Sequence, residues 1–262
     1  MRWYGVLLVF GLMATAVADE LSLTVATRTG QGQAYYHNLL VAALADSGVS
    51  ARLKPVPDMP NARIEQMLVQ GRLGVHWFLR TPERDKRFLR VSQGLTGGMI
   101  GWRILMVPPA DVADYASMRT LADLRRSRRV AAMAFGWADA TIWQHNGLPA
   151  MQQRFSVGEL YRQVASGKRG VHYFPRGSIE VAAEHDLRAG LVPLPGIVLI
   201  YPQDFYFYVS PAMPQLHAKL QLAMQQAEQS GLRQKLFRQY YGTALSELAL
   251  DKRVQIHLSS PP

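Results

Sequence analysis

The chain has 262 residues, 48% hydrophobic and 18% charged, with a formal net charge of +10 and no cysteine. That length holds one large or two small globular domains. The missing cysteine excludes disulfides, thiolate metal sites and a cysteine nucleophile. The basic balance would suit a polyanion such as nucleic acid, but the basic residues are dispersed apart from "DLRRSRRV" (123–130), which reads as a solvated turn between a helix and a strand.

The chain begins "MRWYGVLLVFGLMATAVADE". Arg2 forms a positive start, an apolar run follows from Trp3, and "AVA" at 16–18 suits signal peptidase, so residues 1–18 read as a cleavable export signal with Asp19 as the mature N-terminus. The run is shorter than the ~20 residues that span a bilayer. Losing Arg2 with the signal lowers the net charge from +10 to +9. With no cysteine a lipoprotein anchor is excluded. The mature chain is expected in the periplasm, which argues against a nucleic-acid partner.

"LSLTVAT" (21–27) alternates and reads as a strand. "AYYHNLLVAALADSG" (34–48) has helical apolar spacing with a glycine after its end, and "SARLKPV" reads as a second strand. "PNARIEQMLVQG" is a helix and "LGVHWF" a third strand, followed by a charged loop. "GGMIGWRILMVPP" reads as a strand stopped by Pro108, and "SMRTLADLR" as a short helix capped by Ser117. "RVAAMAF" (129–135) is a strand, "ADATIWQHNG" a short helix, and "GSIEVAAEHDLRAG" a helix opening after Arg176. "LVPLP" and "IVLIYPQDFYFYVS" are strands, and two helices follow, "PQLHAKLQLAMQQAEQSG" and "LRQKLFRQYYG". Strands alternating with helices imply α/β layers with largely parallel sheets. No low-complexity linker divides them, so two lobes would be joined by strand-like crossings, with Val107–Pro109 and Tyr201–Gln203 as the candidates.

One phrase is written twice: "GVHWFLR" at Gly74–Arg80 and "GVHYFPR" at Gly170–Arg176. Each copy follows a helix closed by a glycine, Gly71 or Gly167, which supplies the left-handed residue a helix end often needs. The helix before the second copy opens with Ser156 and Glu159 in capping-box spacing. Each unit therefore reads helix, glycine stop, short apolar strand, arginine. As a pair it is not a solenoid array.

The order of elements and two motifs resemble bacterial solute-binding protein family 3, the periplasmic receptors of polar amino acid uptake. The motifs are "GRLGVHWFLRTPERDKRF", with Thr81-Pro82-Glu83-Arg84 as the family's Thr-x-x-Arg segment, and "LADLRRSRRVAAMAFG", with Asp123, Leu124, Val130 and Gly136 similar to the entry into the second lobe. The resemblance implies two α/β lobes joined by two hinge crossings, with a ligand cleft between them. Lobe one would be residues 19–107 plus 204–262, and lobe two residues 108–203. Arg80 and Arg176 would then sit just past strand carboxyl ends, one in each lobe, where open α/β sheets bind ligands.

A guanidinium presents a planar fork of donors that fits a carboxylate or phosphate. By the resemblance Arg84 would hold a ligand carboxylate, with Thr81 adding a hydroxyl and Arg80 and Arg176 converging on the same anion. Arg176 stands where the family carries an acid for the ligand's ammonium group, and Glu180 one turn on either replaces that acid or pairs with Arg176. Trp137 follows Gly136, where the family carries a small residue. These departures leave the ligand open between an amino acid, an organic acid and an acidic peptide fragment. Tyr35, Trp102 and Trp137 are expected at the cleft, Trp77 and Phe135 in ordinary core, and His76 and His172 as buried strand histidines.

Enzyme motifs are missing: no His-Glu-x-x-His, Gly-x-Ser-x-Gly or phosphate loop is present. The expected function is non-enzymatic capture of a small anionic or zwitterionic solute for uptake, by a monomer without cofactor or metal, whose partners are the ligand and a membrane permease. The alternatives are a receptor that reports to a membrane sensor protein, or a lyase on the same scaffold with Glu180 as its carboxylate.

Overall fold

The computed structural model describes residues 20–27, 32–57 and 59–261. The export signal expected over 1–18 lies outside the described residues.

The chain opens with β1 (Leu21–Ala26), α1 (Gly32–Asp46), β2 (Ala51–Val56), α2 (Asn61–Val69), β3 (Val75–Leu79), α3 (Pro82–Arg87) and β4 (Leu89–Arg90). A glycine-containing turn leads into β5 (Trp102–Val107), followed by α4 (Leu121–Arg126), β6 (Ala131–Ala134), α5 (Ala138–His145), β7 (Ala150–Gln153), α6 (Val157–Ala165), β8 (Phe174–Gly177) and α7 (Ser178–Ala183). Then come β9 (Val192–Pro193), β10 (Ile197–Ile200), β11 (Phe205–Val209), α8 (Pro214–Gln229), α9 (Leu232–Glu247) and β12 (Val254–His257).

The expected helix stops are present: Gly71 and Gly167 take positive φ of 68° and 63° after α2 and α6. Ser156 and Glu159 form the expected capping box of α6. The cap of α4 is Thr120, reciprocated by Asp123, and not Ser117, because α4 starts three residues later than the expected cap would place it.

In lobe one, β1 and β2 pair in parallel and β3 lies beside β1, where Gly74 N donates to Thr24 O at 3.3 Å. β11 runs antiparallel to both β3 and β4. Alternation sends successive residues of β3 to opposite faces. Trp77 packs with α1, α8 and α9, and Phe78 packs with Ile64 and Leu68 of α2. In lobe two, β6 and β7 are parallel, Tyr173 bridges β6 to the approach of β8, and β8, β9 and β10 pair antiparallel to β5.

The boundary expected at Val107–Pro109 is corrected by this pairing. All of β5 belongs to the sheet of lobe two, with Ile104 opposite Arg176 and Val107 opposite Val192, so Val107–Pro109 lies within lobe two. The first crossing is the turn at Gly98–Gly101 that precedes β5. The second lies between β10 and β11, at Tyr201–Asp204, over the expected Tyr201–Gln203. The crossings touch: Tyr201 N donates to Gly101 O at 3.2 Å, and a Cβ on Gly101 would stand 2.2 Å from Tyr201 O, so only glycine lets the two strands approach this closely. The C-terminal residues, expected in lobe one, instead join lobe two: β12 pairs in parallel with β10 and buries Ile256, with Leu258 beyond it, in the core of lobe two. A third passage between lobes therefore follows α9. The lobes also meet at α7, whose Ile179 is buried in the core of lobe one.

Candidate functional site

The strand ends of the two lobes carry different chemistry. In lobe one β3 ends at Leu79, and the exposed Arg80 beyond it donates through Nε to Asp85 Oδ2 at 2.8 Å. Thr81 caps α3, its Oγ1 accepting from Arg84 N at 3.2 Å, and Pro82 starts the helix where an N–H is not needed. The Arg84 guanidinium turns to α2: Nε and Nη2 donate to Glu65 Oε1 at 3.1 Å and Nη1 to Leu79 O at 2.9 Å. It also lies 4.6 Å from the Phe78 ring centre. Glu65 takes a second cation, Arg87, at 2.6 Å. Asp85 is shared by Arg80, by Arg90 at 2.9 Å and by the Tyr208 hydroxyl at 2.8 Å. Burial pushes its carboxyl up, but the bonds from Arg80 and Tyr208 and the charge of Arg90 outweigh that and hold it below the usual carboxylate range.

Lobe two builds a buried network beside the crossings. Arg103, on β5, is 2% exposed. It donates through Nε to the Tyr201 hydroxyl at 2.7 Å, bonds Asp139 through Nη2 at 2.5 Å and reaches Glu180 Oε2 through Nη1 at 3.0 Å. The Tyr201 hydroxyl donates to Asp139 Oδ1. Glu180 accepts from Gly177 N at 2.8 Å and bonds Arg176 Nη2 at 2.9 Å, so one carboxylate joins two arginines. Arg176 donates to both oxygens of Glu184, at 2.9 and 2.5 Å, and Glu184 Oε2 also accepts from the Tyr161 hydroxyl at 3.1 Å. The Arg176 guanidinium lies 5.1 Å from the ring centres of both Trp137 and Phe174, which stack on each other.

Burial alone would lower the pKa of these arginines; for Arg103 the charges of Asp139 and Glu180, and for Arg176 those of Glu180 and Glu184, reverse that and raise both pKa values. Glu184 shows the opposite balance. Burial pushes its carboxyl above the usual glutamate range despite the Arg176 charge, and the neighbouring Glu180 pushes the same way. Three carboxylates against two guanidiniums make the network no ready receptacle for an anion. It is a self-satisfied ionic lattice, with Glu180 as its most accessible member at 24% side-chain exposure.

The structure brings Arg176, Glu180 and Trp137 together, and Arg103 with Trp102 beside them on β5. Arg176 does not sit past a strand end. It lies within β8, opposite Ile104, because the second copy starts its strand at Phe174, whereas the first starts at Val75 directly after its glycine. Tyr35 is not at a cleft: it is fully buried in the core of lobe one, ringed by Tyr36, Phe237, Tyr240 and Tyr241, and its hydroxyl donates to Leu95 O at 2.5 Å. Phe135, read as core, is 60% exposed one residue past β6, with the Arg154 guanidinium 4.3 Å from its ring centre. Trp102 is half-buried against the core of lobe two. His76 is buried in β3 as expected; His172 precedes β8, and its Nδ1 accepts from Val130 N at 3.0 Å. Thr81, Arg80 and Arg84 share one turn, and both arginines are bonded to carboxylates of their own lobe.

Sequence reasoning missed Arg103, Asp139, Glu184 and Tyr201. The one available signal was an arginine inside the apolar run "WRILMV", since a buried charge needs a partner. Among the described residues no group of three or more His, Asp or Glu side chains is placed to hold a metal ion.

No protein-family model and no curated protein matches the chain. Solved structures do. An ancestral arginine-binding protein bound to arginine is 16% identical, with a TM-score of 0.60 over 84% of this chain and 98% of its own. The probable amino-acid ABC transporter extracellular-binding protein ytmK of Bacillus subtilis is 15% identical, with a TM-score of 0.60 over 85% of this chain and 99% of its own. An ancestral amino acid-binding protein, a precursor of cyclohexadienyl dehydratase, is 16% identical, with a TM-score of 0.60 over 84% of this chain and 95% of its own. The chain has the fold of these structures, the two-lobed α/β type II periplasmic-binding architecture.

Proposed function

We propose that the protein is an exported solute-binding protein that captures a small anionic or zwitterionic solute, an amino acid or organic acid, between its lobes and delivers it to a membrane permease. Lobe one would comprise residues 20–98 and 205–247, and lobe two residues 102–200 and 250–261. The observation that carries the reading is the placement of the charged groups. The ends of β3, β7 and β8, with the turns after them, hold Arg80, Thr81, Arg84, Arg154, Arg176 and Glu180, and two of these lie beside the crossings, where Gln203 Nε2 donates to Arg80 O at 3.2 Å and Arg103 joins Glu180 to Tyr201. Among the similar structures, an ancestral arginine-binding protein is bound to arginine in one and to glutamine in another, both zwitterions at the α-carbon. No helix among the described residues is long and apolar enough to cross a membrane, in keeping with a role outside the bilayer.

Binding without turnover is part of the proposal. Glu180, the carboxylate a lyase would need, bonds two arginines and a backbone N–H, so its oxygens are already engaged within the protein. A thermal-shift screen of the purified mature protein against amino acids and organic acids tests the function. The expected result is stabilisation by at least one carboxylate-bearing solute, recovered chemically unchanged after long incubation. Steady product formation, lost in Glu180→Gln, would assign the lyase activity instead. Mass spectrometry of the periplasmic fraction is expected to find Asp19 as the N-terminus.

A further inference from the structure

Three arginines expected to meet a ligand already have carboxylate partners: Arg80 with Asp85, Arg84 with Glu65, and Arg176 with Glu180 and Glu184. A fourth arginine near the strand ends has none. Arg154 is exposed, makes no ion pair among the described residues, and follows β7 directly. Its partner is the ring of Phe135, which follows β6 directly. The two positions continue the parallel register in which Ala134 stands opposite Gln153, and Phe135 N donates to Gln153 O at 2.7 Å. The backbone thus fixes the pair side by side at the carboxyl edge of the sheet, the edge at which open α/β sheets bind ligands. One strand further in, Trp137 and Arg176 repeat the same aromatic–guanidinium stacking in buried form.

A lone exposed phenylalanine needs no explanation. An exposed phenylalanine with an uncommitted guanidinium over its ring, at the carboxyl edge of a parallel sheet, has a use. Stacking leaves the in-plane N–H donors free and removes part of the rotamer freedom that a solvated arginine would lose on binding. The planar fork then suits a carboxylate bidentately.

We propose that Arg154 and Phe135 are the carboxylate-recognising pair of lobe two, in place of Arg176, and that the ligand presents a carboxylate to this edge. The inference rests on the solute-binding reading above. Arg176 and Glu180 are then the fixed wall behind the ligand and not its anion receptor.

The test is calorimetric titration of the mature protein with L-arginine, L-glutamine, L-glutamate and succinate, and with succinamide as the uncharged control. Arg154→Gln and Phe135→Ala are compared with the unaltered protein. Both side chains are exposed, so the melting temperature without ligand should barely change. For each carboxylate probe that binds, Arg154→Gln should weaken binding about tenfold or more, the effect of losing a hydrogen bond to a charged group. Phe135→Ala should weaken it by a smaller factor, and Arg154→Lys should restore only part of the loss. Equal affinity in Arg154→Gln and the unaltered protein overturns the inference while leaving the solute-binding function standing. No binding by any of these probes, nor by any solute in the thermal-shift screen, overturns both.

Discussion

The two copies of the repeated phrase end on the same residue with opposite fates. Arg80 is 56% exposed and shares Asp85 with Arg90 and Tyr208 at the rim of lobe one. Arg176 is 4% exposed and locked between Glu180 and Glu184. The difference is one of register. The first strand starts directly after its glycine and runs out before the arginine, whereas the second starts three residues later and carries the arginine within it. A two- or three-residue slip of a strand within closely similar sequence decides whether a guanidinium meets water or carboxylates, because strand position fixes the face and depth of every side chain.

Arg176→Ala is the largest expected break in the comparison. It would leave Glu180 and Glu184 without their shared cation inside the protein, a change that typically costs about 3–5 kcal/mol. Arg80→Ala removes an exposed pair and should cost about 1 kcal/mol or less. Urea unfolding of the two variants side by side measures the gap. Equal losses would show that the buried lattice contributes no more than the surface pair.

The residue after each arginine sharpens the contrast. Thr81 caps α3, whereas its counterpart Gly177 faces the first crossing, where an added Cβ would stand 2.6 Å from Ile100 Cδ1 and 3.0 Å from Ile100 O. Exchanging the two residues should therefore be asymmetric. Gly177→Thr overpacks the lobe junction and should cost about 1–3 kcal/mol. Thr81→Gly loses only a cap, a few tenths of a kcal/mol, and Thr81→Ala about 1 kcal/mol. Thermal unfolding reports both, and a Gly177→Thr protein as stable as the unaltered one would show that the junction yields.

Local signals carried much of the fold. The stop glycines and the Ser156–Glu159 box each depend on a few adjacent residues, and each is where the sequence pointed. What failed was non-local. The membership of β5 in lobe two is decided by pairing with β8, β9, β10 and, through β10, β12, and nothing within "WRILMV" names those partners. The site suffered most. Arg103 meets Glu180 across 77 positions and Tyr201 across 98, so the hub of the network has no spacing to read. Tyr35 and Phe135 were exchanged in role for a related reason: an aromatic near a strand or helix end can face either the core or the edge, and only the packed partner decides.

The smallest expected effect is also the one in which the two copies differ in sign. Asp85, partner of Arg80, is held below the usual carboxylate range, whereas Glu184, partner of Arg176, is raised by burial. For Asp85 the unfolded chain binds the proton more readily. Its stabilisation is present above the unfolded pKa and is lost as pH falls through the folded value. For Glu184 the folded chain binds the proton more readily. Its favourable contribution is present below the unfolded pKa and is lost as pH rises through the folded value. Stability measured against pH should therefore lose part of its acid-side fall in Asp85→Asn, and part of its decline on the rising side of the glutamate range in Glu184→Gln. The readout is the slope and not the absolute stability, because Glu184→Gln also weakens the bonds to Arg176. If both variants change the slope on the acid side only, Glu184 titrates as an ordinary paired carboxylate, and its burial is outweighed by Arg176 as Asp85's is by Arg80.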